Sequence, residues 1–270
     1  MAFKIGFSAE TEKSSESTVS SPVYKIKTPK KSVVRIHFPT RNMTLSYYND
    51  QFDLRIGDLV YVDGKLEGLQ GRVVEVSYNF KIKLSEYKRV IALVDTDVCG
   101  DFFMAGSHFI NFDRNSLPYE KAILWFRAPI KEDDVFVSGS DEQSFMLSDL
   151  TGMKIGPEIA ERGHGYYVQN KVRYISLDGH KGHAIVEGSE AYEIDFDYYN
   201  GEISNLTCSC FCTYRCKHEF AAMLQLRETL DYIENNYSAE FHKTDYFSAI
   251  AKHVFFSIAI DSKEIGKITI

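Results

Sequence analysis

Short runs in which hydrophobic and polar residues alternate fill the first half of the chain. VVRIHF, which begins at Val33, is followed by MTLSYY, DLVYVDG, GRVVEV, FKIKL and RVIALVD, with turn-forming residues between most of them. Alternation with a period of two is typical of strands that bury one face. The pattern predicts a β-rich domain over 32–115, built as a small antiparallel barrel or sheet.

The second half of the chain combines strands with a helix. YYVQNKVRYISLDG, HAIVEG and YEIDFDYYNGEI predict strands, with turns at Asp178-Gly179, Glu187-Gly188-Ser189 and Asn200-Gly201. Apolar residues at helical spacing then follow, from Phe220 to Ile233, and predict an amphipathic helix over about 217–234. Together these elements predict an α+β fold.

Three segments have a weaker pattern. Residues 1–31 are expected to form a flexible lead-in, because 8–21 consist largely of Ser, Thr and Glu. Residues 116–150 are expected to be a connector that contains one short helix and packs through Trp125 and Phe126. The carboxy-terminal segment 238–270 contains FFSIAI and a second apolar run, which we expect to pair as β-structure with another part of the fold or with a partner.

Charge is unevenly distributed along the chain. The whole sequence has 38 acidic and 31 basic side chains, whereas residues 1–41 have 3 acidic and 8 basic ones. The acidic total argues against a protein that coats nucleic acid, since such binding depends on clustered Lys and Arg. The lysines of the lead-in leave two interpretations open, a solvated tail or a local contact to nucleic acid or another acidic partner. They are Lys25, Lys27, Lys30 and Lys31.

The cysteines are informative because of where the chain is expected to reside. The amino-terminal MAFKIGF lacks the apolar run of a secretory signal, and no later stretch reaches the length of a membrane span. We therefore expect a cytoplasmic protein without a membrane partner, whose thiols stay reduced. Of the five cysteines, Cys99 is isolated and is expected to be a small buried hydrophobic residue.

The other four cysteines lie within nine residues, next to a histidine. A structural zinc site needs four thiolate or imidazole ligands in a tetrahedron, and Cys208, Cys210, Cys216 and His218 supply that set. The first pair follows a predicted strand and the second pair begins the predicted helix. The sequence therefore predicts one structural Zn²⁺. Cys212 is an additional thiol that either lies outside the site or replaces a neighbouring ligand.

The pattern Cys208-x-Cys210, a short spacer and Cys216-x-His218 resembles the SWIM-type zinc finger. The similarity extends upstream through RGHGYY at 162–167, which looks like the strand region before the finger, and through AIVEGS at 184–189. Departures from the family are the short spacer and Phe211, where proline is frequent. The resemblance implies a zinc module of antiparallel strands, zinc loop and helix over 151–237, which binds DNA or a protein.

A second resemblance concerns the amino-terminal half. Gly57-Asp58-Leu59-Val60-Tyr61-Val62, Gly68 and GRVVEV at 71–76 are similar to the KOW pattern of SH3-like barrels. Such barrels often contact nucleic acid or protein, but glycine-turned strands without that role have the same pattern. The resemblance implies a second recognition surface.

Catalytic motifs are absent from the sequence. It contains no G-x-x-x-x-G-K-[ST] loop, no G-x-S-x-G and no H-E-x-x-H, and the predicted zinc has no open position for water. We therefore expect a protein that is not an enzyme and has no nucleotide substrate.

The sequence leaves three functions open. The first is nucleic-acid recognition, with Arg215, Lys217 and Arg227 as candidate phosphate contacts beside the lead-in lysines. The second is an adaptor for a helicase or recombination partner, favoured by the acidic balance of 151–235. The third is a thiol redox protein that uses Cys210 and Cys212.

Overall fold

A computed structural model describes residues 4–7, 29–130, 139, 143–212 and 214–260. The described residues form two antiparallel sheets and five α-helices, which confirms the predicted α+β fold. The strands are β1 Lys4–Phe7, β2 Ser32–Phe38, β3 Met43–Asn49, β4 Leu59–Val62, β5 Gly71–Ser77, β6 Val90–Val94, β7 Gly100–Ala105, β8 His108–Asn111, β9 Phe145–Met146, β10 Val172–Asp178, β11 Lys181–Glu187, β12 Ala191–Tyr199, β13 Glu202–Cys208 and β14 Tyr246–Ala251. The α-helices are α1 Tyr119–Ala122, α2 Pro157–Val168, α3 Lys217–Asn236, α4 Ser238–Thr244 and α5 Lys252–Phe255.

The chain divides into two compact units. The smaller unit comprises Ser8–Thr96 and Arg127–Pro129, and its five strands lie in the order β3-β2-β5-β4-β6. In β2 the side chains of Val34, Ile36 and Phe38 alternate inward and are fully buried, as period-two patterning predicts. The end of β3 also reaches the residues before β6, because Tyr48 N donates a 2.9 Å hydrogen bond to Lys88 O.

The larger unit comprises Met1–Phe7, Asp97–Phe126 and Ile130–Ile270. Its nine strands lie in the order β1-β7-β8-β14-β10-β11-β12-β13-β9. The three predicted turns join β10 to β11, β11 to β12 and β12 to β13 as expected. At the third turn Asn200 and Gly201 both have positive φ, of 49° and 86°, which is the requirement of a type I′ hairpin turn.

The pairing of β7 and β8 differs from the predicted organisation. Both strands lie inside the stretch assigned to the amino-terminal β-rich domain, yet β8 pairs with β14 and β7 pairs with β1 within the larger sheet. The lead-in therefore includes a strand at Lys4–Phe7, while residues 8–28 of it lie outside the described residues.

Helix α3 covers one face of the larger sheet, as its amphipathic pattern predicts. Its buried residues include Ala221, Met223 and Leu226, which join a core formed with Ile175 and Leu177 of β10. On the other face, the hydroxyls of Tyr174 and Tyr246 donate to Leu117 O. Leu117 and the buried Trp125 belong to the predicted connector, in which α1 is the expected short helix.

Helix α2 replaces a predicted strand. The residues 162–167, which were expected to be extended, form its second half. The helix begins at Pro157, where a proline costs no hydrogen bond because the first-turn amides have no intrahelical partner. Gly163 and Gly165 lower the helical propensity of the segment, which explains why the periodicity did not reveal it.

The carboxy-terminal expectation was wrong for residues 255–260. The strand ends at Ala251, and α5 and a π-helical turn over Phe256–Ile260 follow it. Phe255 is fully buried in this helical form, where its ring contacts Phe102 and Phe109. Residues 261–270 lie outside the described residues. No helix in the described part of the chain has the length and apolar character needed to cross a bilayer.

Candidate metal centre

Four ligand atoms converge where β13 ends and α3 begins. One atom each from Cys208, Cys210, Cys216 and His218 lies within 4.8 Å of every other. The Nδ1 atom of His218 is 3.9 Å from Cys208 Sγ and 3.8 Å from Cys216 Sγ. Cys216 and His218 are buried, and Cys208 and Cys210 are partly buried. The structure therefore brings together all four ligands predicted from the sequence.

Backbone pairing fixes the first two ligands. Cys208 is the last residue of β13 and lies opposite Ile194 of β12. The contact continues one residue further, since Ser209 N donates to Glu193 O and Glu193 N donates to Ser209 Oγ, each at 2.9 Å. This extra pair of hydrogen bonds sets the position from which the chain turns to place Cys210.

A capping box fixes the other two ligands. Cys216 is the N-cap of α3, and its Sγ accepts a hydrogen bond from Glu219 N at 3.4 Å. In return, Cys216 N donates to Glu219 Oε2 at 2.6 Å. This reciprocal arrangement is normally made by Ser or Thr with Glu three residues later. It places His218 in the first turn of the helix, so the helix start itself aims two ligands at one point.

Two tyrosines enclose the His218 ring. Tyr192 stacks on it with a centroid distance of 4.2 Å, and Tyr166 of α2 approaches edge-on at 5.4 Å. With Nδ1 facing the sulfurs as the ligand atom, Nε2 would carry the proton of the ring when a metal ion is bound. Nε2 is buried and has no hydrogen-bond partner among the described residues. The ring is therefore oriented by packing, where many metal-binding histidines use an acceptor for the second nitrogen.

Two glycines allow these close approaches. A Cβ at Gly163 in α2 would lie 2.9 Å from Lys217 O and 2.9 Å from Phe220 Cβ. A Cβ at Gly188 would lie 2.8 Å from the Tyr192 ring and 3.4 Å from His218 Nε2. Both glycines occur in the motifs that resemble SWIM proteins, and the structure gives each a packing reason.

The three thiols share their protons unequally. A hydrogen bond between Cys208 and Cys216 raises the pKa of Cys208 well above its usual range and lowers the pKa of Cys216 to about 4. Burial raises the pKa of Cys210 to about 12, and burial together with the Cys216 charge raises the pKa of Glu219 to about 7. One negative charge is thus held at Cys216. A bound cation would be needed before Cys208 and Cys210 release their protons.

The geometry fits a metal ion with soft ligands. Zinc binds sulfur at about 2.3 Å and nitrogen at about 2.0–2.1 Å, so a tetrahedral site separates S and N by about 3.6 Å. The S–N distances of 3.8 and 3.9 Å exceed this by a few tenths of an ångström. The group could therefore hold a metal ion, and its donor set is that of structural zinc sites.

Two of the three candidate phosphate contacts near the metal centre, Arg215 and Lys217, already have partners. Arg215 is partly buried, where its Nη1 donates to Leu206 O and lies 3.5 Å from Glu219 Oε1. Lys217 Nζ lies 4.7 Å from the centroid of the Tyr166 ring. Arg227 lies in a groove of about 470 Å³ on α2 and α3.

Two of the four lead-in lysines are described. The amide of Lys30 donates to Asp53 Oδ1 at 3.4 Å, and its Nζ lies 5.9 Å from the Tyr78 centroid. Lys31 is exposed. Lys25 and Lys27 lie outside the described residues.

The tip of the loop between Cys210 and Cys216 faces solvent. Phe211 and Tyr214 are 99% and 86% exposed, the highest values among the exposed large hydrophobic residues of the described chain. Cys212 lies between them, exposed and outside the four-residue group. Cys99 is exposed as well, so the expectation that it is buried was wrong.

The acidic face of β12 is paired across the strands. Asp195 accepts a 2.7 Å hydrogen bond from His183 Nδ1, and Asp197 lies 2.6 Å from Lys181 Nζ. These residues line a shallow pocket of about 270 Å³. Pairing on a sheet surface thus accounts for Asp195 and Asp197, and the third carboxylate on this side of β12, Glu193, accepts a hydrogen bond from the Tyr119 hydroxyl.

Comparison with known proteins gives one partial match. The chain is 32% identical over 82 residues to the uncharacterized protein MJ1493 of Methanocaldococcus jannaschii, a stretch that covers 30% of this chain. The match spans about a third, 34%, of that relative's length. No family model matches the chain, and no solved structure matches it.

Proposed function

We propose that the chain is a SWIM-type zinc protein in which one structural Zn²⁺ stabilises a non-catalytic recognition module. The carrying observation is the convergence of three sulfurs and the Nδ1 of His218 within 4.8 Å of one another. In structural sites all four coordination positions are filled by protein, which leaves none for a catalytic water. The reduced thiols that such a site requires are expected in the cytoplasm.

Zinc would supply folding energy to the module. Structural zinc contributes about 10–16 kcal/mol of apparent binding energy in finger peptides, comparable to the stability of a whole domain. The positive charge of the ion would offset the repulsion among three thiolates. Without a cation, Cys208 and Cys210 are held as protonated thiols. Cys208, Cys210, Cys216 and His218 are the residues that would hold it.

A protein is the partner that the surface of the module supports best. Residues 151–235 have 8 basic and 13 acidic side chains. Arg215 is bound to Leu206 and Glu219, so its charge is largely used within the fold. The exposed Phe211 and Tyr214 instead offer aromatic anchors, which are typical of protein interfaces. The module would then serve as an adaptor, for example for a helicase or recombination protein.

DNA binding is the second candidate. Its support is the basic surplus of residues 1–41, where 8 basic side chains accompany 3 acidic ones, together with the KOW-like pattern of the smaller unit. Exposed Lys31 belongs to that segment. Contacts of this kind would be electrostatic and independent of the metal centre.

Metal analysis of the purified chain tests the proposal directly. We expect one zinc per chain. The Cys216→Ser variant should bind no zinc, and its module should no longer show a cooperative unfolding transition. Cys212→Ser is the matched control, since it removes a thiol from the same loop but leaves the four ligands, and it should retain zinc. Wild-type protein that contains no zinc and is not stabilised by added zinc would refute the proposal.

A salt titration separates the two kinds of partner. Fluorescence anisotropy with short single- and double-stranded DNA should show weak binding that falls steeply with salt if phosphate contacts form. The double variant Lys30→Ala/Lys31→Ala should reduce that slope, whereas Phe211→Ser should not change it. Absence of DNA binding at low salt would eliminate the second candidate.

A further inference from the structure

The outer edge of β3 has backbone groups that point away from the sheet. The register between β2 and β3 is uninterrupted over the whole of β3. Tyr48 N points away from β2, because it donates a hydrogen bond to Lys88 O. Along an antiparallel pair this direction alternates from one residue to the next. The N–H and C=O groups of Thr44 and Ser46 therefore also point away from β2.

The first half of this edge is open among the described residues. β3 is the first strand of its sheet, and beyond β2 its backbone contact is the one at Tyr48. No other described residue forms a backbone hydrogen bond with Thr44 or Ser46 on this side. Two donors and two acceptors are thus available to an incoming backbone. We call Met43–Ser46 the open edge.

The open edge lacks the features that usually protect such strands. Natural edges have charged side chains, proline or a bulge, which keep other strands from pairing with them. The sequence of β3 is MTLSYYN, without a charge or a proline, and its register with β2 contains no bulge. The open edge is therefore suited to receive another strand.

Exposed apolar side chains flank the open edge. The register places Met43 and Leu45 opposite two fully buried side chains of β2, so both lie on the core face of the sheet. They are nevertheless 38% and 40% exposed. An added strand would cover them with every second one of its side chains. Apolar residues are therefore expected at alternate positions of that strand.

Basic side chains lie at both ends of the open edge. Arg41 precedes β3, and Lys88 lies beside Tyr48. Both are exposed, and neither forms an ion pair with another described residue. Residues 29–96 have 11 basic and 8 acidic side chains. This balance favours an acidic occupant.

Two other occupants fit these features less well. Antiparallel pairing with a second copy would bring Arg41 of one chain near Lys88 of the other, and such like charges repel. The phosphates of a nucleic acid accept hydrogen bonds but do not donate them. They would leave the outward C=O groups of Thr44 and Ser46 without a partner.

We propose that the open edge binds an extended segment of a protein partner in which apolar and acidic residues alternate. The segment becomes an additional strand, with main-chain hydrogen bonds to Thr44 and Ser46 for affinity and alternate side chains for specificity. Its apolar residues cover the exposed apolar pair, and its acidic residues approach the two basic ends. This surface lies in the smaller unit and does not depend on the proposed zinc.

Fluorescence anisotropy with the full chain and a labelled heptapeptide of alternating Glu and Val tests this proposal. We expect saturable binding, and binding about tenfold weaker for a heptapeptide of alternating Lys and Val. Two N-methylated forms of the Glu/Val peptide report on the backbone. Methylation of one set of alternate amides should abolish binding while methylation of the other set has little effect, because only alternate residues of an edge strand donate to their neighbour.

Variants of the protein provide the matching contrast. Ser46→Pro removes an outward N–H that β2 does not use, and proline is tolerated at such edge positions. Ser46→Ala keeps this amide. We expect Ser46→Pro to weaken peptide binding about tenfold and Ser46→Ala to bind like wild type. Arg41→Glu lies outside the strand and should also weaken binding about tenfold, which keeps the test valid if Ser46→Pro does not fold.

Three results with the peptides would overturn the proposal: no binding at low salt, an equal effect of the two methylated sets, or unchanged binding in Arg41→Glu. A wild-type dimer that Ser46→Pro dissociates, seen by sedimentation equilibrium, would overturn it as well, because a second copy would then occupy the edge. Binding of short DNA that Arg41→Glu weakens, without peptide binding, would assign the edge to nucleic acid.

Discussion

Replacing Gly163 by alanine tests whether α2 must approach the metal centre as closely as the structure indicates. The new Cβ would lie 2.9 Å from Lys217 O, a backbone atom of α3, and 2.9 Å from Phe220 Cβ and Cδ1. Neither contact can be relieved by moving the end of a flexible side chain. We expect α2 to shift away from α3 or to remain strained.

The same helix provides a matched control. A Cβ at Gly165 would meet only Gln169 Nε2, at 3.9 Å, which is an ordinary contact. Both substitutions lie inside α2 and gain about 1 kcal/mol of helix propensity over glycine. Only Gly163→Ala adds the cost of overpacking, about 1–3 kcal/mol. Their difference therefore isolates the close contact, because the propensity gain cancels.

Urea unfolding at a fixed zinc concentration measures the effect. Gly165→Ala should raise the free energy of unfolding by up to about 1 kcal/mol. Gly163→Ala should lie about 1–3 kcal/mol below Gly165→Ala and should bind zinc more weakly, since Tyr166 of the same helix contacts His218. Equal stability of the two variants would refute the close packing of α2 on α3.

Two further predictions concern the larger sheet. His108 is buried with Nε2 2.8 Å from Val172 O, and burial lowers its pKa from 6.5 to about 4, assisted by Arg173, Lys252 and His253. Because the histidine pKa is lower in the folded state, the free energy of unfolding falls as pH decreases from about 6.5 to 4. Between pH 7 and pH 5 the protein should therefore lose about 2 kcal/mol of stability, and the His108→Gln variant should not lose this amount. Urea unfolding at both pH values measures the difference. Gly182→Ala should destabilise the protein by about 1–3 kcal/mol in the same assay, because its Cβ would overlap the ring of Phe196 on the paired strand; unchanged stability would contradict that register.

The metal ligands could be predicted because they are close in sequence. Cys208 to His218 span one strand end, one loop and one helix start, and each of these has a local pattern. The capping role of Cys216 could have been inferred from Glu219 three residues later, a spacing that favours a capping box. Local chemistry therefore sufficed for the site and for α3.

The surroundings of the site could not be predicted in the same way. Tyr166, which contacts His218, lies in α2, and two internal glycines weaken the helical pattern of that segment. The local signal for this helix was Pro157 at its start. The pairing of β8 with β14 joins His108 to Ala251, and period-two patterns do not identify such distant partners. Tertiary packing thus decided the features that local pattern left open.

The metal centre is best understood as part of the fold of the larger unit. His218 has tyrosines from two other elements, α2 and β12, on its ring and a buried Nε2 without a partner among the described residues. The raised pKa values of Cys208 and Cys210 keep these two thiols protonated when no cation is bound. A bound divalent ion would balance the charge of the two thiols that release their protons, and it would hold the end of β13 and the start of α3 together next to the Tyr166 ring of α2.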